Sequence, residues 1–251
     1  MKRIATLVLA VLMVLSLFAC AAADETAAVM THDEYVAAEL ETEVTVETYV
    51  QAHQSWWNDQ ITIYAQSEDG AYFIYNAACD AETAEKLVPG TKIRVNGFKG
   101  EWAGEVEIVD GTIEIIEDAE PWIAEAEDVT ELLGADELAD HQNEFVAFKG
   151  MTVESYTYSK GDETVDTGAA FAYGWDASGA EGTDADLYFN VSVNGVTYTF
   201  TVEYYLCNET TEVYEAVRSL NVGDVVDLEG FLYWYNGANP HITAVAPVVG
   251  E

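Results

Sequence analysis

Apolar and polar positions alternate with a period of two along most of this chain, the pattern of half-buried strands rather than of helices. Residues 44–52 alternate in this way. Residues 61–66 and 71–76 form a second and third run, joined through Glu68-Asp69-Gly70, which predicts a hairpin. Asp80 then precedes a stretch rich in Ala, Glu and Lys that runs to Leu87, so a short helix capped by Asp80 is expected. Pro89-Gly90 stops it, and residues 91–99 and 105–116 read as two more strands. The same order then returns. Residues 145–158 read as a strand, and 187–193 and 196–205 flank Asn194-Gly195, the strongest short hairpin signal. Asn208 is the expected cap of a helix to about Leu220, and 225–235 and 241–248 complete the second set.

The return is a duplication. Leu87, Gly90, Gly97 and Phe98 match Leu220, Gly223, Gly230 and Phe231 at one constant offset. Upstream, Thr45-Val-Glu-Thr-Tyr49 matches Thr152-Val-Glu-Ser-Tyr156, and Gly70 and Cys79 fall on Gly195 and Cys207. Three strands, a helix and two strands is the chain order of an OB-fold, a five-stranded Greek-key barrel. Both copies resemble that fold. The expected architecture is mainly β: two tandem OB-like Greek-key barrels, each with a short helix between strands 3 and 4. Residues 32–117 would be the first domain and 143–251 the second. An acidic connector, 118–142, has helical pattern at 129–133 and 136–141. Thr31-His-Asp-Glu34 fits a capping box opening a short helix before the first barrel.

The N-terminus has a different pattern. Lys2 and Arg3 precede an apolar run from Ile4 to Phe18, the length of a secretory h-region and too short for a comfortable membrane span of roughly 20 residues. It ends in Leu17-Phe18-Ala19-Cys20, which resembles the lipobox of bacterial lipoproteins, although Phe18 is bulkier than that pattern usually has. The resemblance implies a signal peptide over 1–19, lipidation of Cys20, and a flexible tether over 20–31. The alternative is ordinary cleavage near Ala23 and a secreted product. Cys79 and Cys207, matched by the repeat, read as buried small hydrophobes, with a bridge between the copies as the other possibility.

Charge narrows the partners. The chain has 46 acidic and 9 basic residues and a net charge of −37, yet half its residues are hydrophobic, which argues for a globular protein. Such a charge repels phosphate backbones, so nucleic acid is not expected as a partner. The candidate ligand residues are aromatic. Trp56, Trp57 and Trp102 fall in the loops that frame an OB ligand face in the first copy. Tyr233, Trp234 and Tyr235 fall in the strand 4–5 region of the second. These rings form either a stacking platform for a sugar or other flat ligand, or plugs and glue for the barrels.

No cofactor is expected. Asp162, Asp166, Asp184 and Asp186, in the long acidic loop 159–186, are weak calcium candidates without EF-hand spacing. Nor does any carboxylate pair, Ser/His arrangement or phosphate-cradling glycine motif stand out, so an enzyme is not expected. The chain resembles the small exported OB-fold lipoproteins of Gram-positive bacteria, and by fold and export alone the periplasmic OB-fold family without nucleic-acid function. That resemblance implies an address, the extracytoplasmic face of the cell membrane, more than an activity; the reading preferred for the chain is a lipid-anchored, non-catalytic binding module there. Its ligand would be neutral or cationic, a glycan or peptide. The alternatives are an assembly role, docked to another envelope protein, and, disfavoured by the charge, nucleic-acid binding as in many OB-folds.

Overall fold

The computed structural model describes residues 28–248. The leader and Cys20 lie outside the described residues. Within them the chain folds as two tandem five-stranded OB-like barrels, as the strand order predicts.

The first barrel begins with α1 (His32–Ala37), whose Thr31–Glu34 capping box forms as the sequence suggests. Strands β1 (Glu43–His53), β2 (Gln60–Ser67) and β3 (Gly70–Ala78) follow, then the single-turn α2 (Ala81–Ala84). Asp80 caps α2 by accepting from the Thr83 N–H at 2.7 Å, but regular helix stops at Ala84. Strands β4 (Lys92–Trp102) and β5 (Glu105–Ile115) complete it. Antiparallel pairing runs β3–β2–β1–β4–β5, and a parallel β3–β5 pairing closes the barrel. Val44, Val46, Ile61, Ile63, Ile74, Ile93, Val95 and Ile108 fill it from alternate positions, while Tyr35 and Leu87 pack at the ends of the core.

The connector holds a short strand β6 (Glu127–Asp128) and two 3-10 turns, Thr130–Leu132 and Asp136–His141. The second barrel opens with β7 (Phe145–Glu154). The strand expected to reach 158 breaks at Ser155-Tyr156, and the long acidic loop is structured. It carries a hairpin of β8 (Thr157–Lys160) and β9 (Glu163–Asp166), and then β10 (Phe171–Tyr173), which pairs with the next strand. Strands β11 (Leu187–Val193) and β12 (Val196–Val202), α3 (Glu212–Arg218), β13 (Val225–Phe231) and β14 (His241–Pro247) follow. Thr211, not Asn208, caps α3. The Asn208 side chain instead accepts from the Thr210 N–H and hydroxyl, holding the turn that leads into the helix.

Pairing in the second barrel repeats the first: β12–β11–β7–β13–β14 antiparallel, closed by a parallel β12–β14 bridge. The duplicated glycines explain themselves. Gly90 and Gly223 both take positive φ, +89° and +95°, where the chain turns into strand 4. A Cβ on Gly97 would meet Ile108 and the Val109 carbonyl at 2.7 Å, and one on Gly230 would meet the His241 carbonyl at 2.2 Å. Both positions sit at the irregularity where strand 4 presses on strand 5.

Cys79 and Cys207 are free thiols, each buried in the core of its own barrel, so no bridge joins the copies. No helix among the described residues is long and apolar enough to cross a membrane.

Candidate functional site

The two barrels are locked together by the outer face of strands β2 and β3, the face on which OB-folds usually bind ligands. Tyr64 and Phe73 project from it and form a separate apolar cluster with Phe231 of the second barrel. The Tyr64 ring stacks on Phe231 at 4.7 Å, and Tyr233 packs edge-on to Phe73 at 5.2 Å. Phe231 and Phe98 are repeat partners, yet Phe231 is 3 % exposed and Phe98 42 %. Only the second copy has turned this position into interface. Polar contacts reinforce it: the Tyr64 hydroxyl and His241 Nδ1 share a hydrogen bond at 2.6 Å, and Gln66 Oε1 accepts from the Phe145 N–H at 2.8 Å.

The strand 4–5 turns of the two barrels also meet. The Asn236 N–H donates to the Ala103 carbonyl at 2.6 Å, and the Trp234 N–H donates to Glu105 Oε2 at 2.7 Å. Gly104, at φ +90°, lies against the Trp234 indole, which a Cβ would approach to 2.9 Å. Trp234 is therefore packed into the junction as glue.

Beside this junction the barrels leave a cleft of about 820 Å³. The first barrel contributes Phe73 and Tyr75 from β3, Trp102 from the end of β4 and Glu107 from β5. The second contributes Trp175 from the acidic loop, Tyr188 from β11, and Tyr233 and Tyr235 from the β13–β14 loop. Asp186, Glu203 and His241 complete its charge-bearing lining, with no Lys or Arg among the lining residues. The rings of Tyr75, Trp102, Trp175 and Tyr235 are 46–63 % exposed, so apolar faces are open to a ligand.

The acids of this region are poorly hydrated. Glu203 is 9 % exposed, and burial pushes its carboxyl up to about 7 against the pull of the Tyr205 and Leu206 N–H groups. Burial likewise raises Glu107 and Asp186. Just behind, Glu105 is fully buried and raised to about 8, again by desolvation. Burial has the opposite effect on His241, which is pushed down to about 3 and is neutral at ordinary pH. The cleft thus offers ring faces and hydrogen-bond acceptors at low polarity, a setting in which electrostatic contacts are stronger than in water.

Of the sequence candidates, Trp102, Tyr233 and Tyr235 come together on the cleft. Trp56 and Trp57 do not. The Trp56 indole donates to the Cys79 carbonyl at 2.8 Å, and Trp57 stands 79 % exposed elsewhere. Trp175, Tyr75, Tyr188, Glu107 and Glu203 were missed. Trp175 had one signal, a lone large ring in a loop of acids and glycines. Tyr75, Tyr188 and Glu107 sit on strands and read as ordinary alternation, and Glu203 directly follows β12.

The four calcium candidates do not converge. Asp166 accepts from the Ser155 hydroxyl and the Gly168 N–H, Asp186 lines the cleft and accepts from the Tyr204 N–H, Asp162 is exposed in the hairpin turn, and Asp184 is exposed in the loop before β11. The one group of described residues close enough to share a metal ion is Glu127, His141 and Glu144, where His141 is already hydrogen-bonded to Glu144 at 2.8 Å.

No family model matches the chain, and no curated protein does. Solved structures do. A tetrameric p202 HIN2 domain is 8 % identical, with 84 % of this chain and 96 % of that one covered and a TM-score of 0.33. A murine DNA-binding protein bound to double-stranded DNA is 10 % identical, with 83 % and 100 % covered and a TM-score of 0.33. A replication protein A heterotrimer bound to single-stranded DNA is 12 % identical, with 81 % and 50 % covered and a TM-score of 0.30. These likenesses are of fold. The expectation that nucleic acid is not a partner is not kept, since the solved structures matched include complexes with double-stranded DNA.

Proposed function

We propose that this protein is a lipid-anchored, non-catalytic binding module on the extracytoplasmic face of a bacterial membrane, and that it takes a neutral or cationic ligand in the inter-barrel cleft. The observation that carries this reading is the lining of the cleft, where exposed aromatic rings from both barrels surround buried carboxylates. Sugars and peptides both present apolar faces with hydrogen-bond donors, which such a surface suits. Lipidation of Cys20 rests on the lipobox alone and is tested separately, by incorporation of labelled fatty acid that Cys20→Ala abolishes.

The cleft is tested by intrinsic fluorescence, because Trp102 and Trp175 both line it. Neutral oligosaccharides, neutral and basic peptides and short DNA duplexes are titrated against the native protein and Trp102→Ala. Saturable quenching by a glycan or peptide, weakened in the variant, is the expected result. Tight binding to DNA alone would replace this reading. Trp57 favours a second, assembly role, because an indole exposed to 79 % outside the cleft is suited to docking against another protein. Trp57→Ala separates the two, weakening co-purification with an envelope partner without changing ligand titration.

A further inference from the structure

The carboxylates of the cleft have no cation to answer them. Glu107 is 8 % exposed, lines the cleft, and accepts no hydrogen bond from any described residue. Glu203 accepts only from the backbone N–H groups of Tyr205 and Leu206, at 3.1 and 2.6 Å, and Asp186 accepts from the Tyr204 N–H at 2.9 Å. None of the three enters an ion pair among the described residues, and no Lys or Arg lines the cleft. Lys160, which has no ion-pair partner among the described residues, lines a separate pocket beside Trp175, and the other described basic groups are engaged elsewhere. Lys92 and Arg94 hold Glu47, Lys149 faces Asp227 and Glu229, and Arg218 is paired with Glu181 and Glu215. Lys99 points into the end of α1, donating to the carbonyls of Tyr35, Val36 and Ala38.

A desolvated carboxylate must either keep a proton or find a counter-charge. The surrounding rings decide which counter-charge fits. Trp102 and Trp175 are 63 % and 62 % exposed, line the same cleft and stack on no other ring among the described residues. Their electron-rich faces attract organic cations and cover apolar carbon, which a bare metal ion does not offer. Glu107 adds a requirement, because a lone acceptor is satisfied by a cation that carries N–H donors.

We infer that the inter-barrel cleft is a site for a protonated linear amine, its ammonium donating to Glu107 and its methylenes lying on the rings of Trp102 and Trp175. This rests on the cleft being the binding site proposed above. Glu203 and Asp186 offer acceptors for a second ammonium along the same chain, so a di- or polyamine fits better than a monoamine.

The test is calorimetric titration of the purified protein in 150 mM salt (about the physiological level, which screens the acidic surface), with spermidine, tetramethylammonium and a neutral oligosaccharide as probes. Spermidine is expected to bind saturably at one site. Glu107→Gln should weaken it at least tenfold, while Glu82→Gln, a change in an exposed ion pair, leaves it unaltered. Glu203→Gln provides a second variant if Glu107→Gln does not fold. Spermidine binding that is diffuse, or equal in all three variants, overturns the inference, as does tetramethylammonium binding as tightly as spermidine. If the oligosaccharide binds and loses affinity in Trp102→Ala while spermidine is ignored, the amine falls and the cleft stands. If no probe responds, both fall.

Discussion

Replacing Glu105 by Gln should make the protein more stable, by an amount that grows as pH rises from about 4.5 through 8. The carboxyl is fully buried at the junction of the barrels, where Oε2 accepts from the Trp234 N–H and Oε1 has no partner. Asn143 lies beside it, and its Oδ1 is likewise a buried acceptor without a donor. A protonated carboxyl supplies the missing O–H, and a Gln amide supplies an N–H in its place at every pH. Burial raises this carboxyl from 4.5 to about 8. A shift of one pKa unit is worth about 1.36 kcal/mol, so ionising Glu105 in the folded state costs on the order of 5 kcal/mol.

The sign follows from the order in which the two states lose the proton. The unfolded chain releases it near 4.5 and the folded protein near 8. The contribution to stability is therefore fully present below pH 4.5 and is lost as pH rises through 8. Urea unfolding of native protein and Glu105→Gln, followed by near-ultraviolet circular dichroism at pH 5 and pH 9, measures it. Glu203 and His241 titrate in both proteins and cancel in the difference. The variant should match the native protein near pH 5 and exceed it by roughly 3–5 kcal/mol at pH 9. A difference that is the same at both pH values would refute the reasoning, because it would mean that Glu105 carries no proton into the folded state.

Three further outcomes are expected. Gly104→Val should destabilise the fold by about 1–3 kcal/mol in thermal unfolding, because φ is +90° there and the new Cβ meets the Trp234 ring. His241 is held neutral to about pH 3 against 6.5 when unfolded, so the stability it contributes is full above 6.5 and lost as pH falls toward 3; His241→Gln should flatten that acid limb in a melting series. Burial pushes the Cys207 thiol up to about 12, so a thiol reagent applied at pH 8 should leave Cys207 unmodified until the protein is unfolded, as peptide mapping would show.

The barrels were legible in the sequence because their constraints are local. Alternation marks strands, Asn194-Gly195 and Glu68-Asp69-Gly70 mark hairpins, and Gly97 and Gly230 mark the places where two strands press closest. The cap of α3 was misplaced because Asn208 and Thr211 are both good N-cap residues, and only the geometry of the preceding turn chooses between them. The cleft was legible in part. A pattern of period two says that Tyr64, Phe73 and Glu107 share an outward face, but it does not say what meets that face.

That ambiguity has a physical root. In a single OB-like barrel the outer side of β2 and β3 is solvent, and an aromatic residue there implies a ligand. Here the second barrel covers part of it, so Tyr64 and Phe73 serve as interface, while Tyr75, one step further along β3, is 46 % exposed on the cleft. The same covering desolvates Glu105, Glu107 and Glu203, which a lone barrel would leave in water. Binding chemistry and docking chemistry therefore have a common origin. The duplication that doubled the fold also created the low-polarity space in which unpaired carboxylates act strongly on whatever enters, and a change that loosens the Tyr64–Phe231 contact would weaken both at once.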